Sequence, residues 1–164
     1  MKKVLLFTIG FLLLVFFESF LLHVFSFSLF IILVLSSWKK IEDLPFYLFI
    51  TLFSIVFDTV LHTSLGLHMI VIALVLLVTH LLWYLIPRDG VFGFIPVFLS
   101  VFLYYILSYL LISLLQDRVL IPFTWDFVLN TFIKSLLSIP VYLGIQRGIS
   151  FFRKDDTGGK IKLK

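Results

Sequence analysis

The sequence contains no cysteine. Disulfides, thiolate metal ligands and cysteine nucleophiles are therefore excluded, and the redox compartment leaves no trace. Charge is scarce, with Asp, Glu, Lys and Arg at 13% of 164 residues, against about 25% in soluble domains. There is no Gly-x-Ser-x-Gly, no His-Glu-x-x-His and no Walker loop, so no catalytic signature points to an enzyme. Thirteen basic residues against nine acidic give a net charge of +4. The basic residues form no stripe, and a nucleic-acid partner is not expected. No internal repeat and no low-complexity linker interrupts the chain.

What fills the space is apolar. Hydrophobic residues make up 62%, including 21 Phe, and mean hydropathy is +1.19. A water-soluble globule of this size cannot hide that much Leu and Phe. The same content excludes disorder. The solvent that accepts this composition is a bilayer. Met1-Lys2-Lys3 before an apolar run resembles a signal peptide, but no small-residue cleavage site follows. An uncleaved first helix is expected.

Six apolar segments are legible, at 4–22, 24–38, 46–62, 66–86, 91–115 and 127–152. They predict an all-α, polytopic integral membrane bundle of six transmembrane helices over 1–152, with a polar cytoplasmic tail at 153–164. Segment 24–38 is short for a bilayer that needs about 20 helical residues. If it is re-entrant, the count becomes five. Six spans put Lys2, Lys3, Lys39, Lys40, Arg88, Arg147, Arg153, Lys154, Lys160, Lys162 and Lys164 on one side, and Arg118 alone on the other. By the positive-inside rule both termini are expected in the cytoplasm. Trp38, Trp83, Tyr84 and Trp125 fall near predicted boundaries, as interfacial anchors do.

Polar residues inside the spans mark where helices meet protein rather than lipid. On the third segment Tyr47, Thr51, Ser54, Asp58 and His62 are spaced to fall within an arc of about 80°. Asp58 lies about 20 Å above the cytoplasmic start of its helix. His62 is expected one turn further out, within reach of Asp58. On the last segment Asn130, Lys134, Ser138, Tyr142 and Gln146 form a winding stripe, and on the fifth Ser100, Tyr104 and Ser108 form a face of hydroxyls that suits helix packing. Lys134, Asp58 and Glu18 share a depth, so Lys134 is expected to pair with Asp58 or Glu18. The expected role of this set is a structural clamp rather than a transport relay. Asp58, His62, His68, His23 and Glu18 near one surface would be a conceivable metal set. No helix carries His-x-x-x-His or Glu-x-x-His, so neither metal nor cofactor is expected. An intramembrane aspartyl enzyme would need a second deep Asp, and Ser54 with His62 lacks a reason for contact.

The most informative stretch is Asp58-Thr59-Val60-Leu61-His62-Thr63-Ser64-Leu65-Gly66-Leu67-His68. An Asp closes one helix, a short polar turn follows, and Leu-Gly-Leu-His opens the next. Gly66 permits a tight turn, and His68 can bridge back to Asp58 across it. This pattern resembles the signature of the MreD family of bacterial rod shape-determining membrane proteins, and Asp58, Gly66 and His68 match it directly. Where that family often has glycine, this chain has Phe53, Ser54 and Phe57. The resemblance implies a non-catalytic scaffold subunit of the cell-elongation machinery in the bacterial inner membrane. Its implied partner is an MreC-like single-span protein. An MreB-type filament, a RodA-type polymerase and a class B penicillin-binding protein belong to the same complex. Asp58, His62, Gly66, His68, Glu18 and Lys134 are the expected structural or partner-binding residues. The alternative from a different class is the substrate-binding membrane subunit of an energy-coupling-factor-type uptake transporter, with the same residues lining an outward pocket.

Overall fold

The computed structural model describes residues 2–38, 43–86, 91–117 and 124–157. Every regular element among them is helical. In chain order they are α1 (Lys2–Phe25), α2 (Phe30–Ser37), α3 (Asp43–Val60), α4 (Leu67–Leu85), α5 (Ile95–Ile112) and α6 (Trp125–Thr157). A 3₁₀ turn, Val91–Phe94, leads into α5, and a π-helical turn, Ser113–Asp117, follows it. We call the end of the bundle that carries the α3–α4 turn the upper end.

Four stretches are long and apolar enough to cross a bilayer: Thr8–Phe25, Leu67–Leu85, Ile95–Leu115 and Trp125–Gly148. Leu44–Val60 is a shorter apolar helix. The outward side chains fit this reading. Leu13 is 62% and Phe16 73% exposed on α1, an arrangement that acyl chains accept and water does not.

The segment expected at 24–38 is where the structure departs most from the periodicity. Val24 and Phe25 still belong to α1, and only 30–37 forms a helix of its own, about 12 Å of rise, so it cannot cross alone. Ser26 takes a left-handed φ of 50° and ends α1, and the chain returns through non-helical backbone at 26–29. α2 is buried on nearly all sides, through Phe30, Ile31, Ile32, Val34, Leu35 and Ser36. That is why its sequence shows no polar face to read. The last helix also differs, running to Thr157 and so taking in the start of the expected tail. Residues 158–164 of that tail lie outside the described residues.

The core is an aromatic column on α3. Phe53 is fully buried and stacks on Phe30 of α2 at 3.6 Å and on Phe57 at 5.4 Å. Phe11 of α1 meets Phe53 edge-on at 6.0 Å. Phenylalanine thus fills the space that glycine would leave to a close helix approach. α4 and α5 are joined instead by small hydroxyls. Thr79 Oγ1 and Ser100 Oγ lie 2.6 Å apart, both buried, and each also bonds a carbonyl one turn back on its own helix. Such contacts between membrane helices average about 0.6 kcal/mol. Thr79→Val with Ser100→Ala should therefore give a coupling energy of about that size in a double-mutant cycle of unfolding in detergent. A value several times larger would mean that the two hydroxyls hold the helix pair. Thr131, Ser135 and Ser138 give α6 a buried face of small residues. Gln146 Nε2 donates to the Ser36 carbonyl at 3.3 Å, tying α6 to the end of α2.

Candidate functional site

Two buried carboxylates organise the bundle, and both act on the start of the helix that follows. The first is Asp58, fully buried near the end of α3. Its Oδ1 accepts from Thr63 Oγ1 at 3.1 Å, from His68 Nδ1 at 2.5 Å and from the His68 N–H at 3.3 Å. Its Oδ2 accepts from the Gly66 N–H at 2.7 Å. The Asp58 carbonyl also takes the Thr63 N–H at 3.0 Å. Four donors fill what a carboxylate can accept. Two of them are backbone N–H groups at the first turn of α4, where a negative charge is favoured. Asp58 therefore caps α4 from the preceding helix. Phe57 packs edge-on against the His68 ring at 5.0 Å and shields the pair.

Gly66 is held at φ +86° with open space where a Cβ would stand. The left-handed backbone, not crowding, selects glycine. Gly66→Ala should cost about 1–2 kcal/mol and Gly66→Asn less, as read by unfolding in detergent. Equal stability for the alanine variant would refute this account.

The second node is Glu18, 2% exposed in the middle of α1. Its Oε1 accepts from Ser28 Oγ at 2.6 Å, and its Oε2 from the N–H groups of Leu29 and Phe30, each at 3.0 Å. The Ser28 N–H donates to Tyr105 Oη of α5 at 2.8 Å. Non-helical backbone inside a bilayer needs every polar group satisfied by protein. Glu18 and Tyr105 do this at the break between α1 and α2. The sequence carries a signal for this role. A span too short to cross implies exposed N–H groups, and the nearest buried acceptor is Glu18.

Other expectations fare differently. α3 ends at Val60, and His62 sits exposed in the turn with φ 54°. The four-residue step that would stack it above Asp58 does not exist, because the chain has already left the helix. The polar face of α3 divides. Ser54 and Asp58 are buried, while Tyr47 is 49% exposed and opens with Thr51 onto a groove of about 560 Å³ beside α4. Lys134 forms no ion pair with Asp58 or Glu18 among the described residues. Its Nζ lies 5.6 Å from the Tyr105 ring centroid instead. The shared depth expected from the sequence holds only for Glu18: Asp58 caps the first turn of the span Leu67–Leu85, nearer the upper end than Lys134, and Glu18 is turned onto the start of α2.

Between the two nodes lies a pocket of about 460 Å³, lined by Ser19, His23, His68, Tyr104, Tyr105 and Ser108. His68 belongs to the first node and Tyr105 to the second. The Ser108 Oγ is buried and has no hydrogen-bond partner among the described residues. No group of three or more His, Asp or Glu suited to a metal ion occurs among the described residues. Asp58 with four donors and Glu18 with three each hold the start of the helix that follows. Comparison of the chain with family models, with curated proteins and with solved structures finds no match.

Proposed function

We propose that this protein is a non-catalytic membrane scaffold, a subunit of a bacterial cell-elongation complex of the kind its resemblance to the MreD family implies. The observation that carries the reading is the closed Asp58–Gly66–His68 turn. The three residues that match the family pattern form one hydrogen-bonded unit. A rigid upper rim is what a docking platform requires. The commitment of both buried carboxylates to the starts of α4 and α2 speaks in the same direction.

In this reading the chain crosses the inner membrane six times, with both termini cytoplasmic. Residues 26–29 turn the chain back from the end of α1 to the level of Glu18, and α2 adds roughly 12 Å. Together they make the second crossing as a broken span, protected inside the bundle. Eleven Lys and Arg residues then fall on the cytoplasmic side against Arg118 on the other. The bundle receives the anchor helix of an MreC-like partner. Through that partner it joins an MreB-type filament, a RodA-type polymerase and a class B penicillin-binding protein. Depletion in a rod-shaped host should turn rods into spheres, and an MreC-like protein should co-purify. Unchanged cell shape on depletion would refute the proposal.

The 460 Å³ pocket, whose Ser108 hydroxyl has no partner among the described residues, favours one second reading, a substrate-binding subunit of an energy-coupling-factor-type transporter. Tight capture of a vitamin by the purified protein would select it, and absence of capture would leave the scaffold.

A further inference from the structure

α2 is too short to fill the layer between α1 and α6, and the structure leaves a groove there. It has a volume of about 450 Å³ and opens between Leu21, Phe25 and Phe27 on one wall and Asn130, Lys134 and Pro140 on the other. The volume admits the side chains of a helix laid along it rather than a helix body. Three features make this wall unlike the lipid-facing surface around it. Lys134 is half-buried with an aromatic ring as its only polar partner among the described residues. Asn130, one turn above, makes no side-chain hydrogen bond among them. Pro140 lies inside α6 and cannot donate to the Leu136 carbonyl four residues back, leaving that acceptor without its helical N–H.

We propose that this groove docks the transmembrane helix of a different protein, one that carries an Asp or Glu in its upper half opposite Lys134. Charge complementarity commits the site to this occupant. A cation at bilayer depth requires a counter-charge, and a ring face lowers its energy without neutralising it. A second copy of the chain does not supply the carboxylate at this depth, because Asp58 and Glu18 are each buried and hydrogen-bonded to internal donors, and the other described acids, Asp43, Asp117, Asp126, Asp155 and Asp156, lie near the ends of their elements. Lipid phosphate does not reach it either. Lys134 lies two to three residues above the middle of Trp125–Gly148, about 4 Å from the midplane. A fully extended side chain adds about 6 Å. The hydrocarbon half-thickness is about 15 Å, so the ammonium stops some 5 Å short of the headgroups, and here it leans on Tyr105 instead. The inference deepens the scaffold reading and rests on it for the idea that a helix docks at all.

The test uses the full chain in phosphatidylcholine vesicles with three labelled leucine–alanine transmembrane peptides, identical except for a single Glu, Gln or Lys in the upper half. Energy transfer from protein to peptide reads association. The Glu peptide should associate roughly three- to tenfold more tightly than the Gln peptide, with the Lys peptide weakest. Lys134→Met should abolish that order, and Lys134→Glu should reverse it in favour of the Lys peptide. The comparison of peptides needs only the unaltered protein, so it decides even where a variant fails to fold. Equal association of all three peptides overturns the proposal. So does loss of the Glu preference when phosphatidylglycerol is added, which would make lipid phosphate the occupant. Dimerisation of the chain that the Glu peptide cannot displace would make a second copy the occupant and overturn it too. Co-purification of an MreC-like protein reads the scaffold proposal separately. If co-purification persists without a Glu preference, the groove is wrong and the scaffold stands. A Glu preference with no effect of depletion on cell shape keeps the groove and discards the scaffold.

Discussion

Replacing Asp58 by alanine is expected to destabilise the bundle by about 3–5 kcal/mol, the range for removing one partner of a buried charged network. The loss is larger than for one hydrogen bond because two backbone N–H groups, of half-buried Gly66 and buried His68, are left without their acceptor. Asp58→Asn keeps one acceptor oxygen and presents an NH₂ where a donor already stands, so its expected cost is about 1–3 kcal/mol. Reversible unfolding in mixed detergent micelles measures both. The ordering matters more than either number. An enzyme that used Asp58 in chemistry would lose activity in the asparagine variant while keeping its stability. The structural role predicts the opposite, with stability falling first and partner association falling with it. Asparagine and alanine variants as stable as the parent would remove Asp58 from the account of the upper rim.

Replacing Glu18 by leucine should be as damaging, at about 3–5 kcal/mol, although Glu18 lies on the most lipid-exposed of the helices. Its carboxylate is the acceptor for three groups at the α1–α2 break. Without it, two N–H groups at the start of α2 face an interior that contains no water to replace it. Glu18→Gln retains one oxygen for Leu29 and Phe30 and turns its amide toward Ser28, whose hydroxyl can rotate to accept. That variant should cost only about 1 kcal/mol. Tyr105→Phe removes the acceptor of the Ser28 N–H and should cost about 1–3 kcal/mol. It should couple with Glu18→Gln in a double-mutant cycle, because both groups hold the same four-residue segment. Hydrogen exchange at residues 28–30 should quicken in every one of these variants. Protection that stays unchanged in Glu18→Leu would show that α2 is held by packing alone.

The two nodes were unequally legible, and the reason is physical. Asp58 and His68 are ten residues apart across a turn whose composition announces it. A polar pair flanking Gly66 in an apolar sequence has few other places to go. Glu18 also reaches only ten to twelve residues ahead, yet its target is backbone. Which N–H groups lack a partner is fixed by where a helix breaks, and the left-handed Ser26 that breaks it carries no strong sequence mark. The same holds for His62, which periodicity placed on α3 and a left-handed turn removed from it.

Composition by itself determined the solvent, the all-helical class and most helix positions, because a chain this apolar must satisfy its backbone internally and 3.6-residue periodicity fixes which segments can. It also determined that Asp58, Gly66 and His68 meet. Only the tertiary structure decided the azimuth of each helix, and depth along a span says nothing about that. For this reason Lys134, expected level with two carboxylates, faces Tyr105 and a groove rather than either acid. The length of α2 and the gap it leaves between α1 and α6 were decided at the same level, since a helix buried on all sides shows no face from which its ends can be read.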